Sequence, residues 1–277
     1  MFTKKSCYLI AEIGWNFLGN TSLAKKMIIA AKNSGADFVK FQIWNPKYLK
    51  EGAWDNDGRK EIYNKAFLNK KKYEKLNNFC KKNKIKCFSS IFSETEIEDY
   101  HKVTKDMVKI PSPEAYNLPL IKKCLKKFDY IVLSLGALKK NELKKVISIT
   151  KNKKVIPMHC VSSYPLKASD CNFYKFEYLK KFYKKVGYSG HFDGVEDAIY
   201  AIDNGAVLIE KHFTTNNDLP GRDNKFALLP KDFSFLSNYI KTRDAFKENK
   251  GLDLQKCEVD IYKNYRGRWQ KKVKNSL

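Results

Sequence analysis

Long apolar runs are missing from this sequence. No stretch approaches the ~20 consecutive apolar residues that a membrane helix needs, so no membrane insertion is expected. The N-terminal run CYLIAEIGW is too short for a secretory signal and is broken by Glu12, which leaves a cytoplasmic location as the expectation. Paired cysteine motifs are missing too. The seven cysteines are odd in number, form no CxxC, and spacings such as Cys80/Cys87 match no metal template. They read as free thiols of a reducing compartment, with Cys160 as a small core residue. No GxGxxG follows the first apolar run, which removes the main signal for a dinucleotide fold. Arginine is scarce: Arg59, Arg222, Arg243, Arg266 and Arg268 are the five among 54 basic residues.

What is abundant is lysine, and the formal net charge is +24. Such a balance can mark a nucleic-acid partner. The lysines, however, are spread over helical faces, as in KKKYEKLNNFCKKNK, and do not form one block interleaved with aromatics. They read as a solvated surface with a general field for anionic substrates, and no specific nucleic-acid partner is expected. The hydrophobic fraction of 43% and the chain length allow a large buried core.

Apolar runs alternate with amphipathic ones. Strands are expected at 7–13, 37–42, 85–90, 106–110, 129–134, 154–160, 186–189 and 206–213. Helical stripes lie between them; SLAKKMIIAAKNSG and GVEDAIYAIDNG run to Gly35 and Gly205 as stop signals. Eight βα repeats over residues 1–250 predict an α/β chain folded as a single-domain (β/α)8 TIM barrel, with 251–277 as a basic C-terminal tail. Residues 43–69 are expected to form a long functional loop.

Barrel active sites form at the C-terminal strand ends. Polar residues gather at those ends: Glu12, Lys40 with Gln42, Ser90, Lys109 with Ser112, Ser134, Ser162 with Ser163 and Tyr164, Ser189 with His191, and Glu210 with His212. Residues i and i+2 of a strand share a face, so Glu210 and His212 point the same way, as do Ser189 and His191. Two imidazoles from neighbouring strands suit a divalent metal with open positions. Two lysines among hydroxyls suit phosphate or carboxylate. Glu12 or Glu210 could act as general base.

The pieces AEIGWN (11–16), GADFVKFQ (35–42), FSS (88–90), VKIPS (108–112), LSLG (133–136), HCVSSYP (159–165), GYSGH (187–191), IEKHFT and LPGRD (209–223) together resemble the sialic acid synthases, the N-acetylneuraminate synthase family. The resemblance implies metal-dependent condensation of phosphoenolpyruvate with an N-acylmannosamine-type aldose, giving a nonulosonic acid and phosphate. By position it implies His191 and His212 as ligands of a divalent metal, Mn2+ ahead of Mg2+ or Co2+. It implies Lys40, Ser90, Lys109, Ser112, Ser134, Ser162 and Ser189 for phosphoenolpyruvate, and Gln42, Tyr164 and Asp223 for the sugar. Glu12 and Glu210 are implied as catalytic carboxylates. The sequence departs from the family at Phe17 and Gly190, where His and Asp are usual, and at Ser162 and Ser90, where Asn and Thr are usual. The family's C-terminal antifreeze-like domain, which sends an arginine to the acyl group across a dimer, is not expected in this chain. A homodimer or a separate partner domain is therefore expected, with Arg266 and Arg268 as local substitutes. Rivals are a 3-deoxy-ketoacid sugar-phosphate synthase, disfavoured by a rim poor in arginine, and a non-catalytic sugar- or phosphate-binding barrel that needs a partner.

Overall fold

The computed structural model describes residues 6–151 and 153–269. Eight parallel strands close in sequence order into one barrel: β1 Tyr8–Gly14, β2 Phe38–Ile43, β3 Lys86–Ile91, β4 Met107–Ile110, β5 Tyr130–Ser134, β6 Val155–His159, β7 Gly187–Gly190 and β8 Leu208–His212. Each expected strand is present, displaced by one or two residues at its ends. Helices α1 Thr21–Asn33, α2 Arg59–Ala66, α3 Lys70–Lys82, α4 Ile97–Val103, α5 Leu118–Lys127, α6 Lys140–Thr150, α7 Tyr174–Lys180, α8 Glu196–Asp203, α9 Arg222–Phe226 and α10 Pro230–Phe246 follow the strands, and α11 Val259–Asn264 lies beyond them. The segment 43–69 carries α2 and two short 3-10 turns and is therefore a folded excursion over the barrel mouth. Of the expected tail, residues up to 269 are described; they are mostly exposed, and 270–277 lie outside the described residues.

Local chemistry explains these elements. The strands are near-continuous apolar runs, as strands covered on both faces must be. Asn20 and Asn69 cap α1 and α3, accepting from Ser22 and Leu23 N at 3.0 and 3.1 Å and from Lys72 N at 2.9 Å. The two-residue alternation then sorts the barrel interior by height. Tyr8, Ile10, Phe38, Phe88, Met107, Val132, Ile156, Met158 and Leu208 form an apolar plug in its lower half. Two residues further along the same faces come Glu12, Lys40, Ser90, Lys109, Ser134 and Glu210. Outward-facing residues such as Leu9, Val39, Val108 and Ile131 join the helices in the larger core.

Two features of the wall matter below. The β3–β4 seam is joined by the single residue pair Ser90↔Lys109. Beneath it the Tyr100 hydroxyl stands between the strands, accepting from Ser89 N at 2.9 Å and donating to Met107 O at 2.8 Å. On the far side of the barrel Lys211 points outward and pairs with Asp197 of α8 at 2.9 Å, both side chains being 2% exposed. Tyr188 also donates to Asp197, at 3.0 Å.

Removing one partner of a buried ion pair strands the other charge. Asp197→Ala is expected to destabilise the fold by about 3–5 kcal/mol, while Asp197→Leu with Lys211→Met costs far less. Chemical denaturation of the single and double variants checks this, and equal losses in both would refute it.

Candidate active site

A cavity of about 520 Å³ opens at the C-terminal mouth of the barrel. Every residue expected at the site lines it: Glu12, Lys40, Gln42, Ser90, Lys109, Ser112, Ser134, Ser162, Tyr164, Ser189, His191, Glu210, His212 and Asp223. Its floor is a chain of buried charges of alternating sign. Lys40 Nζ lies 2.6 Å from Glu12 Oε2 and 3.7 Å from Glu210 Oε1, and Lys109 Nζ lies 2.6 Å from the same Glu210 oxygen. Hydroxyl and amide groups complete it. Gln42 Nε2 donates to Glu12 at 2.7 Å, Ser189 Oγ to Glu210 at 3.2 Å, and Lys40 to Ser90 Oγ at 2.9 Å.

Neighbours divide the two carboxylates. Burial, reinforced by the charge of Glu210, raises the pKa of Glu12 despite its contact with Lys40. Burial also works to raise Glu210, but Lys109 and Lys40 outweigh it and hold that carboxyl at about 2. Glu12 is thus the carboxyl better able to carry a proton, and Glu210 is the permanent anion between two ammonium groups. Glu210 Oε2 and Ser134 Oγ are buried without a hydrogen-bond partner, so the floor keeps acceptor and donor capacity for a guest.

The hydroxyl wall depends on Gly136. A Cβ there would lie 2.6 Å from Cys160 Sγ, 2.7 Å from Ser162 Oγ and 2.8 Å from Ser112 Cβ. Only a residue without a side chain lets those groups close in, and Ser112 and Ser162 then share a 2.6 Å hydrogen bond. Gly190 has a similar cause. A Cβ at 190 would meet Asp197 Oδ2 at 2.1 Å, so the pair with Lys211 occupies the space an aspartate side chain would need. Phe17 is buried in the outer core, edge-on to Phe41 at 5.8 Å.

Above the floor the rings of His191 and His212 lie 5.6 Å apart. His191 Nδ1 is within 2.9 Å of Val161 O and so carries the proton, which leaves Nε2 with its lone pair free. Burial depresses both imidazoles to about 3, so both are neutral bases at neutral pH. His212 Nδ1 is buried without a hydrogen-bond partner, 3.7 Å from Asp223 Oδ2. Among the described residues no group of three or more His, Cys, Asp or Glu side chains is arranged to hold a metal ion.

The outer rim differs from its expected composition. Arg222 lines the cavity, with its guanidinium 4.7 Å above the Tyr164 ring and Nε 3.5 Å from Asp223. Arg59 of α2 lines a small crevice next to it, with Trp15. The rim is therefore less poor in arginine than expected: Arg222 stands in it beside Asp223, and Arg59, from a segment remote in sequence, borders it. Arg266 and Arg268 stack on the tail's own Tyr262 and Tyr265, at 4.2 and 5.2 Å, and are not among the cavity's lining residues. Trp15 and Phe92, from loops, and Tyr63, from α2, also line the cavity; aromatic residues at such positions carry no distinguishing sequence signal.

The profile of the NeuB family matches residues 27–250. The chain belongs to the NeuB family. Among NeuB relatives, N,N'-diacetyllegionaminic acid synthase of Campylobacter jejuni subsp. jejuni serotype O:2 is 32% identical, over 94% of this chain and 82% of its own length. The N-acetylneuraminate-9-phosphate synthase of Drosophila melanogaster is 31% identical over 85% of this chain and 67% of its own. The solved N-acetylneuraminic acid synthetase of Leptospira borgpetersenii superposes with a TM-score of 0.80 at 27% identity, covering 96% of this chain and 93% of that one. A truncated 3-deoxy-D-arabino-heptulosonate 7-phosphate synthase of Thermotoga maritima shares the fold at TM-score 0.65 and 14% identity.

Cys160 lies in this NeuB cavity, yet burial raises its pKa against the pull of Lys109 and Lys175. Cys257 is the exposed cysteine. The native chain is expected to show one fast thiol towards a disulfide reagent, abolished by Cys257→Ser. A fast phase that persists in that variant and is slowed by phosphoenolpyruvate would instead put a reactive thiol in the cavity.

Proposed function

We propose that this chain is a phosphoenolpyruvate-dependent carbon–carbon bond-forming synthase. It joins phosphoenolpyruvate to an N-acylmannosamine-type aldose and releases a nonulosonic acid and phosphate. The observation that carries this reading is the floor of alternating charge beneath two neutral imidazoles, in a chain of the NeuB family. Lys40 and Lys109, with Ser90, Ser112, Ser134, Ser162 and Ser189, hold the phosphate and carboxylate, because ammonium groups and hydroxyls match both anions. Gln42, Tyr164 and Asp223 hold the open-chain sugar. Glu12, with its raised pKa, gives and takes the proton at the reacting carbons. Glu210, in contact with both lysines, holds them in place.

His191 and His212 suit a divalent cation: both are neutral, His191 keeps Nε2 open, and His212 Nδ1 lacks a hydrogen-bond partner. When bound, the cation, for which we propose Mn2+ over Mg2+ or Co2+, supplies Lewis acidity towards the aldehyde oxygen. We further propose residues 1–250 as the catalytic barrel with 251–277 as an appended tail, a cytoplasmic location, and action as a homodimer or with a separate partner domain. No helix of the described residues is long and apolar enough to cross a membrane. A second reading has one observation in its favour: Arg222 and Arg59 at the mouth suit an acceptor that itself bears phosphate.

A phosphate-release assay with manganese, phosphoenolpyruvate and a panel of aldoses tests the main reading; no release with any of them overturns it. N-acetylmannosamine compared with its 6-phosphate separates the two readings of the acceptor. His191→Ala and His212→Ala are expected to lose ~100-fold or more in turnover and to retain less manganese after dialysis. Unchanged metal content in both variants would remove the metal assignment while leaving the barrel chemistry standing. Arg222→Ala is expected to raise KM for the aldose and leave KM for phosphoenolpyruvate unchanged, since it stands at the rim and not on the floor.

A further inference from the structure

The barrel has a second recess, on the face opposite the mouth. A groove with about 650 Å³ of free volume runs beneath the β3–β4 seam, between the end of α3 and the loop from α4 to β4. It is open because the seam above it has one residue pair and a tyrosine hydroxyl wedged below that pair. Phe38 and Met107 close its inner end.

Two independent features of this groove point to an anionic guest. Its lining carries Lys81, Lys84, Lys86, Lys102 and Lys105 against the single acid Asp106, whereas the whole chain has 54 basic and 30 acidic residues. Lys102 has Asp99 at 3.7 Å; for the other four no ion pair exists among the described residues. Asn77, 3% exposed, also lines the groove, and its Nδ2 is buried without a hydrogen-bond partner. A buried amide donor left unpaired is rare and costly, and a ligand oxygen would satisfy it.

The edge of the groove is also strained. Helices α1, α3 and α8 end alike: a residue of positive φ follows the cap, and the next N–H reaches back to the fifth residue before it. At α1 and α8 the positive-φ residue is glycine, Gly35 and Gly205. At α3 it is Lys84, at φ +56°. A lysine kept in a conformation that glycine adopts freely is strain retained at the edge of the groove, of the kind found at ligand clamps.

We propose that this groove is a binding site for a phosphorylated small molecule of nucleotide size, separate from the substrates at the mouth. The lysines meet the phosphate, Asn77 Nδ2 donates to one of its oxygens, and the free volume matches that of ordinary ligand pockets. No group of the catalytic floor lines the groove, so its occupant is not itself turned over there.

The test is calorimetric titration of the whole protein with AMP and with inorganic pyrophosphate, phosphoenolpyruvate being present to fill the mouth. Saturable binding of one equivalent is expected from at least one probe. AMP alone identifies a nucleotide-type ligand, and pyrophosphate alone an inorganic or polyphosphate one. Lys84→Gly removes a cation while relieving the backbone, so it is expected to raise or preserve the melting temperature while weakening the probe about tenfold. Asn77→Leu is expected to weaken the probe without changing kcat/KM for phosphoenolpyruvate. Absence of saturable binding by both probes at millimolar concentration, or affinities unchanged in both variants, overturns the proposal.

Discussion

Glu12, Lys40, Glu210 and Lys109 neutralise one another at the floor of the barrel mouth, each being at most 4% exposed. An isolated charge at that depth would cost several kcal/mol. The four are tolerated because their signs alternate and because strands β1, β2, β4 and β8 deliver them within reach of one another at one end of the barrel. The rest of the site follows from this constraint. One carboxyl is held ionised by its two lysines, the other has its pKa raised by burial, and the ammonium groups face a cavity with room for a doubly anionic guest.

The barrel wall is adapted to that floor. The apolar plug below it keeps water from entering from the opposite face. The buried pair of Lys211 and Asp197 anchors α8 behind β8 and leaves no space for a side chain at Gly190, next to His191. The hydroxyl wall exists because Gly136 lets Ser112, Ser162 and Cys160 converge. Charge placement, glycine placement and helix docking are three consequences of one packing problem. The weak β3–β4 seam is where the wall is least complete, and it is there that the lysine groove opens.

Much of the site was legible because strand alternation is local. From Ile10 to Glu12, Phe38 to Lys40 and Leu208 to Glu210, the step of two residues keeps the inward face and changes apolar to charged. Eight such strands in βα order leave few closures other than a barrel with its polar ends together. Arg59 was not legible. It sits in 43–69, where glycine, asparagine and tryptophan hide the periodicity of α2, and only the packing of α2 over the mouth brings it near Arg222. The lysine groove was hidden for a related reason: on helical faces its lysines look like any solvated charge.

The sequence by itself determined which residues are strands, which face of each strand turns inward, and therefore which side chains the mouth holds. Only the tertiary structure decided who pairs with whom. Lys109 meets Glu210 across 101 positions, and Glu12 lies beside His212 across the β1–β8 closure. Those partnerships depend on the stagger of the strands around the barrel and on helix packing behind them, which long-range contacts set and no local pattern encodes.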